Sequence, residues 1–592
     1  MSGAAWLTVA VLLLTVVALT RDLVPPAVAV LGANITLLVS GVITTEQALA
    51  GFSNPAPMTV AALFIVARAV EKTGGLQPLV RRTLGAGHGE RASLARLLVP
   101  VAGASGFLNN TPLVAMLTPQ IAAWAEKHGR SASLYLMPLS FATILGGTIT
   151  VIGTSTNLVV SGLLQANGMA PLGMFELSML GVPLAAVGVT AIVLLAPVTL
   201  PARRTPRQDF TDNVREYVCQ ATIAAGGPID GISVDEARLR NLEGVFLVEI
   251  QRGAEVLAPV APTSLLRGGD RLTFAGRVDL IRDIHATSGL VPDGRKHALT
   301  LNGPQHTFFE AVIGAASPLA GKTLKEIDFR SRYQAAVLAI HRAGERVNEK
   351  LGTVRLREGD TLLLIADGGF GSRWRDRHDF LLVSHLGGTP RPGSKQAVLV
   401  GALTFAIVVL AGVGLLPILH AALLGAFALV LFRVLSPSEA RGAIELDVIA
   451  VIAAAFGLAS AIESSGLAAT LGSVIVHGFD EFGPVGVLLA VTLATVALTE
   501  LITNNAAAVL LFPIAVATAV ELGLDPRPFA IAITVAASAS FLTPIGYQTN
   551  TMVYGPGGYR FSDYIRLGLP LTLLVVAAIV ILVPLIWPLA GR

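Results

Sequence analysis

Two adjacent asparagine pairs, Asn109-Asn110 and Asn504-Asn505, interrupt stretches that are otherwise apolar. Thr111 follows the first pair and Thr503 precedes the second. Further along lie two more polar clusters, Gly153-Thr154-Ser155-Thr156-Asn157 and Gly546-Tyr547-Gln548-Thr549-Asn550. Hydroxyls and carboxamides of this kind can offer oxygens to a hard cation or hydrogen bonds to an anion, and no Arg or Lys stands in these segments. The single cysteine, Cys219, excludes a disulfide framework and any Cys-rich metal site. The chemistry written here is ion binding, and an enzyme is not expected.

The elements that carry these residues are apolar. Of 592 residues, 53% are hydrophobic and 14% charged, with a mean hydropathy of +0.69. A soluble chain would carry about 25% charged residues. Charge is also segregated: 27 basic and 23 acidic residues lie between Pro201 and Gln396, against 31 charged residues in all the rest. The flanks therefore read as membrane segments, since about 20 apolar residues cross a bilayer. The first run, Ala4 to Thr20, lacks a basic leader and reads as a retained helix. The net charge of +3 and pI near 9.1 follow from basic loops, so nucleic acid is not expected as a partner.

The flanks repeat one another. Asn109-Asn110 recurs as Thr503-Asn504 at an offset of 394, Ile152-Gly153 and Thr156-Asn157 as Ile545-Gly546 and Thr549-Asn550 at 393, and Glu71 with Gly74 as Glu463 with Gly466 at 392. Each copy reads as spans near 4–20, 23–43, 57–73, 133–164 and 172–199, or 397–414, 416–434, 447–465, 528–554 and 567–590. An interrupted stretch, 97–125 or 487–520, folds back as a re-entrant hairpin, because paired amides in lipid would otherwise stay unsatisfied. Five crossings per copy invert the second against the first. The expected fold is thus an α-helical polytopic membrane protein of two inverted repeats, each five transmembrane helices plus a re-entrant hairpin, with a cytoplasmic α+β tandem insert. The boundaries are 1–200, 207–292, 303–388 and 396–592. With the insert in the cytoplasm, Arg21, Arg81, Arg82, Arg91, Arg96, Lys127, Arg130, Arg433, Arg441, Arg560 and Arg566 all fall inside, and only Arg527 and Arg592 outside.

The insert repeats too: Leu266-Arg267-Gly268-Gly269-Asp270 recurs as Leu356-Arg357-Glu358-Gly359-Asp360, and Ile250 with Arg252 as Ile340 with Arg342, at an offset of 90. Strands are expected at 245–250, 271–275, 336–340 and 361–365. Gly321-Lys322-Thr323 looks like the end of a phosphate loop, but the glycine that loop requires is Ala316. His285, His306, His341 and His378 lack metal-ligand spacing, and Arg373, Arg375 and Arg377 read as a solvated loop. Among flank carboxylates, Glu71 is expected to pair locally with Arg68 and Lys72, and Glu500 to orient the second hairpin, with assisting a cation as the alternative. Gly555, Gly557 and Gly558 read as a turn.

With these residues in view, the flanks resemble the divalent anion:sodium symporter family. Its second signature is matched at Gly153-Thr154-Ser155-Thr156-Asn157, and Gly546-Tyr547-Gln548-Thr549-Asn550 leads into Val553-Tyr554-Gly555 as the family does. The hairpin signature Ser-Asn-Thr departs to Asn109-Asn110-Thr111 and Thr503-Asn504-Asn505. The resemblance implies sodium sites at Asn110, Gly153 and Asn157 and at Asn504, Gly546 and Asn550. It implies substrate contacts from Asn109, Thr111, Thr154, Ser155, Thr156, Thr503, Asn505 and Thr549. The insert resembles two TrkA C-terminal (RCK C-terminal) domains, a combination associated with sulfate. The function implied is Na+-coupled import of a small inorganic or organic divalent anion, sulfate ahead of dicarboxylates, across a cell membrane. The partners implied are a second copy of the chain in a homodimer, a small cytoplasmic ligand of the insert, and the lipid bilayer. A cation/proton antiporter would need acidic residues at the tips, a potassium pathway would need a Thr-Val-Gly-Tyr-Gly filter, and a pure sensor would need no paired polar site.

Overall fold

In lipid, a backbone must satisfy its own hydrogen bonds, so apolar runs fold as helices. The computed structural model describes residues 2–21, 23–74, 89–203, 218–239, 245–253, 255–257, 260, 263–276, 289–292, 307–314, 317–342, 345–347, 349, 351–374, 379–385 and 396–590. Arg81, Arg82, His285, His306, Ala316, Arg375, Arg377, His378 and Arg592 lie outside them. The first flank forms α1 Gly3–Thr20, α2 Pro26–Val39, α3 Thr45–Ser53, α4 Pro55–Thr73, α5 Glu90–Ser105, α6 Asn110–Lys127, α7 Ser133–Gly147, α8 Ser155–Ala166 and α9 Ser178–Thr199. The second forms α10 Gln396–Gly412, α11 Ile418–Leu431, α12 Pro437–Gly442, α13 Leu446–Ser464, α14 Leu467–Phe479, α15 Gly483–Thr499, α16 Asn504–Glu521, α17 Pro526–Ser538, α18 Gln548–Tyr554 and α19 Phe561–Ile586.

Five helical stretches, 45–73, 178–199, 446–464, 504–521 and 561–586, are long and apolar enough to cross a membrane, and shorter apolar helices accompany them. The chain is a polytopic helical membrane protein. Three helices are additions to the pattern of apolar spans. The short α3 and α12 each start at a reciprocal capping box, Thr44 with Gln47 and Ser436 with Glu439. The third, α14, follows Gly466, whose φ of 77° lets the chain reverse after α13.

The interrupted stretches break where the asparagine pairs stand. Residues 106–109 separate α5 from α6, and 500–503 separate α15 from α16. The polar clusters interrupt two more helices: residues 148–154 part α7 from α8, and 539–547 part α17 from α18.

The two flanks are packed through each other. The second-flank helix α13 lies against α2 and α3 of the first. Glycine makes this approach possible: a Cβ on Gly51 would overlap the Ala453 carbonyl, and one on Gly457 would overlap the Asn34 carboxamide. Asn34 in turn donates to Ala48 O at 2.8 Å. Ion pairs close the seam at its rim, Arg527 with Glu176 at 2.7 Å, Arg203 with Asp563 at 2.7 Å and Lys72 with Glu439 at 2.7 Å. Arg68 pairs with Glu71 at 2.9 Å as expected, whereas Lys72 reaches across to α12 and leaves that local pair. Glu463 is exposed at the end of α13.

Between the flanks stand two antiparallel five-stranded sheets, with β1 Val218–Ile223, β2 Val245–Arg252, β3 Glu255–Leu257, β4 Arg271–Gly276 and β5 Leu290–Pro292 in the first. The second has β6 Thr307–Val312, β7 Ala335–Arg342, β8 Glu345–Arg346, β9 Thr361–Ala366 and β10 Leu382–His385. The strand orders are β3-β2-β4-β1-β5 and, read from its other edge, β8-β7-β9-β6-β10, so the connectivity is the same. Even the register irregularity recurs, at Leu247/Glu249 and Val337/Ala339.

The repeated sequence motif has a structural job. Arg252 clasps Asp270 and donates to Leu265 O, and Arg342 clasps Asp360 and donates to Arg355 O. In each copy the aspartate also accepts the backbone N–H three residues before it. The second sheet meets the membrane helices: Arg560 pairs with Glu345, and a Cβ on Gly555 would overlap the Thr361 hydroxyl. Residues 555–558 form the expected turn, with Gly558 at φ 65°.

Asp360 is fully buried, so Asp360→Asn would leave Arg342 without its counter-charge at a cost of about 3 kcal/mol. Hydrogen exchange of strands β7 and β9 should rise sharply in that variant while α13 stays protected. Equal protection of β9 in both proteins would refute the role given to the pair.

Candidate functional site

Four helices begin at the polar clusters: α6 at Asn110, α8 at Ser155, α16 at Asn504 and α18 at Gln548. Their first-turn N–H groups lack intrahelical acceptors and carry partial positive charge. Two of the breaks are each held by an asparagine. Asn157 donates to Gly147 O at 3.0 Å and Thr150 O at 2.8 Å. Asn550 donates to Ser540 O at 2.9 Å and Thr543 O at 3.3 Å. The two sets share one offset, 393, so the same amide staples the same two carbonyls in each flank. The residues that start the resumed helices match as well: Thr154 has φ −143° and ψ 151°, Tyr547 φ −144° and ψ 135°.

In the first flank, Asn110 is brought to the break. Its Oδ1 accepts from Ser105 Oγ at 2.6 Å, and its carboxamide lies so close to Gly147 that a Cβ there would collide with it. Ser105 also donates to Thr143 O, and Thr150 Oγ1 donates to Gly106 O, which ties the turn 106–109 to the break. Gly153 packs on Gly147 without room for a side chain. Asn110, Gly153 and Asn157 thus converge on one glycine. Among the described residues, Asn157 Oδ1 is buried with no hydrogen-bond partner, an uncommon condition for a carboxamide oxygen.

The second flank carries a carboxylate at its break. Glu500 stands where the offset of 394 places Gly106. Its Oε1 accepts from Phe541 N and Leu542 N, both at 2.8 Å, and its Oε2 from Ser540 Oγ at 3.2 Å. The carboxylate therefore holds the second break open in a defined shape. A Cβ on Gly546 would crowd Ser540, Thr543 and Glu500, which explains the glycine. Asn504 Oδ1 accepts from Asn505 N at 2.9 Å. Among the described residues, no hydrogen bond joins it to Asn550.

The two flanks are crossed at this point. Asn110 donates to Tyr547 Oη at 2.8 Å, and Thr111 to Gln548 Oε1 at 3.1 Å. Ser155 and Thr156 donate to Asn505 Oδ1 at 3.2 and 3.1 Å. Thr154 Oγ1 lies 3.2 Å from Tyr547 Oη. Each asparagine-pair turn is bonded to the broken helix of the opposite flank.

Of the residues expected at a substrate, Asn109, Thr111, Ser155 and Thr503 keep exposed surface, while Thr154, Thr156, Asn505 and Thr549 are buried in this network. Thr549 Oγ1 accepts from Ser140 Oγ at 2.8 Å. Sequence reasoning missed Ser105, Ser140, Tyr547 and Gln548. Ser140, which also donates to Asn550 Oδ1 at 2.7 Å, sits in a plain apolar helix with no motif around it. Tyr547 and Gln548 lie inside a recognisable motif, and their difference from Thr154 and Ser155 is the available signal. The segments 97–125, 133–164, 487–520 and 528–554 contain no Lys or Arg. Among the described residues no group of His, Cys, Asp and Glu could hold a transition metal.

Known proteins share this sequence over nearly its whole length. Residues 10–536 match the citrate transporter (CitMHS) family. The chain is 36% identical to an uncharacterised transporter of Synechocystis, over 98% of this chain and 97% of that one. It is 35% identical, over 93% and 96%, to a Chlamydomonas reinhardtii protein named as a candidate regulator of the sulfur deprivation response. Sodium/sulfate cotransporter 2 of the same alga is 26% identical over 98% of this chain and 90% of its own length.

Because Glu500 accepts two backbone N–H groups in a buried loop, Glu500→Ala should destabilise the protein by about 2–3 kcal/mol, the scale of hydrogen bonds to a charged group. Glu500→Gln, which can still accept, should lose less. Melting of the purified variants in detergent checks the order, and a Gln variant as unstable as the Ala variant would contradict it.

Proposed function

This chain belongs to the citrate transporter family, and from that membership we propose a sodium-coupled symporter that imports a divalent oxyanion, sulfate, by alternating access. The observation that carries the reading is the charge balance at the crossed junction. Four helix N-termini and a rim of hydroxyls and carboxamides suit an anion, yet the segments that form them contain no Lys or Arg to neutralise it. Partial charges at helix ends do not cancel two full negative charges, so cations must enter with the anion. The oxygens around Asn110, Gly153 and Asn157, including the unpartnered Asn157 Oδ1, suit one such sodium ion. The Asn504, Gly546 and Asn550 region is its counterpart, and the Glu500 carboxyl oxygens beside Gly546 add to the oxygens that a cation could use there.

The substrate contacts in this reading are Asn109, Thr111, Ser155 and Thr503 at the accessible rim, with Thr154, Thr156, Asn505 and Thr549 supporting them from behind. Sulfate is favoured over the dicarboxylates because the algal relatives are named for sulfate cotransport and for the sulfur deprivation response. A proton antiporter is disfavoured because the one carboxyl in the two tip turns, Glu500, is engaged by the Phe541 and Leu542 N–H groups.

We read the flanks as inverted repeats, supported by the 393–394 offsets and by the two identical asparagine staples. The turns at 106–109 and 500–503 are then re-entrant hairpin tips, and the bundle that carries them moves against a scaffold. The two sheets are read as TrkA C-terminal-like cytoplasmic domains that bind a small ligand and bias the cycle. The second sheet's contacts with Gly555 at the end of α18 and with Arg560 give that bias a route. A homodimer in the cell membrane, multi-pass, completes the proposal.

Proteoliposomes loaded in potassium should take up labelled sulfate only under an inward sodium gradient. Asn110→Ala and Asn504→Ala should each lower that uptake at least about tenfold, a loss of roughly 1.4 kcal/mol or more in transition-state terms. Sodium-independent sulfate flux, or none at all, would sink the symporter reading.

A further inference from the structure

Thr154 and Tyr547 occupy equivalent places. Each precedes its stapling asparagine by three residues, starts the resumed helix, and has the same extended backbone. Each faces the same junction, yet one is a small hydroxyl residue and the other a phenol. The Tyr547 side chain crosses from the second flank into the first: its hydroxyl accepts from Asn110 Nδ2 at 2.8 Å and sits 3.2 Å from Thr154 Oγ1. Tyr547 is 7% exposed. The ring therefore fills, where the flanks meet, a volume that a threonine side chain is too small to fill.

We infer that Tyr547 sets the length of the anion this site accepts. The inference rests on the symporter reading and names the side chain that would make its site prefer sulfate to a dicarboxylate. A tetrahedral oxyanion presents all its charge within one small sphere and can be held by the rim hydroxyls and helix N-termini beside the ring. A C4-dicarboxylate places two carboxylates at the ends of a carbon chain, and the second carboxylate would need the space the phenol fills. Discrimination by a filled volume acts against the longer ligand and costs the shorter one nothing. The hydroxyl has a separate part: bonded to Asn110 and set against Thr154 it aligns the second flank's broken helix with the first flank, so size exclusion and alignment are carried by different atoms of one side chain.

Two substitutions separate those parts. Tyr547→Thr copies the first flank, and Tyr547→Phe keeps the ring while removing the hydroxyl. The readouts are sodium-driven uptake of labelled sulfate and succinate in proteoliposomes, and the melting shift that each anion gives the purified protein in sodium. Wild-type protein should respond to sulfate and ignore succinate. Tyr547→Thr should gain a succinate shift and succinate uptake at least about tenfold over wild type, with its sulfate KM raised severalfold. Tyr547→Phe should still exclude succinate and show only the weaker sulfate binding.

A Tyr547→Thr protein that binds sulfate but still ignores succinate would overturn the inference. So would a Tyr547→Phe protein that admits succinate as well as the Thr variant does, because the hydroxyl network and not the ring would then set the limit. Wild-type protein that responds to neither anion with sodium would instead remove the symporter reading beneath it.

Discussion

A helix that stops inside a packed apolar bundle must find partners for the backbone groups it exposes. This protein stops four times near one place. The demand is met by side chains: the amides of Asn157 and Asn550 each bind two carbonyls across a break, and Glu500 binds two N–H groups in the second. Once the breaks are closed in this way, the helix N-termini beyond them are left facing a common junction. The polar site is thus the outcome of a backbone problem solved with a minimum of charge.

The crossed contacts arise from the same constraint. Asn110 and Thr111 find their partners in Tyr547 and Gln548, and Ser155 and Thr156 find theirs in Asn505. Neither flank can satisfy its polar residues alone. The close seam of α13 against α2 and α3, made possible by Gly51 and Gly457, brings them together. Stability and site geometry therefore depend on one packing arrangement, and a loosened seam would disturb both.

The insert obeys a different rule. Its sheets stand outside the apolar flanks, and each is organised around an ion pair with a buried aspartate, Arg252 with Asp270 and Arg342 with Asp360. That pair explains why Arg-x-Gly-Asp and its Arg partner recur at an offset of 90: they are framework residues, and a ligand site in the sheets must be sought elsewhere. Gly321-Lys322-Thr323 forms a turn followed by a bridge at Thr323, without the helix a phosphate loop requires.

Much of this was legible in the sequence, because bilayer thickness and backbone hydrogen bonding act on composition directly. The apolar runs, the positions of the breaks, the internal offsets and the strands around the Gly-Asp turns all depend on local residue types. The short helices α3, α12 and α14 were not legible, since capping and a left-handed glycine set them within segments too polar or too short to read as spans. Partner identity was also beyond local pattern. That Lys72 leaves Glu71 for Glu439, that Ser140 supports Asn550, and that Tyr547 reaches Asn110 across 437 residues depends on which helices pack side by side. Local sequence determined what each segment must satisfy, and only the tertiary structure decided which residue, hundreds of positions away, would satisfy it.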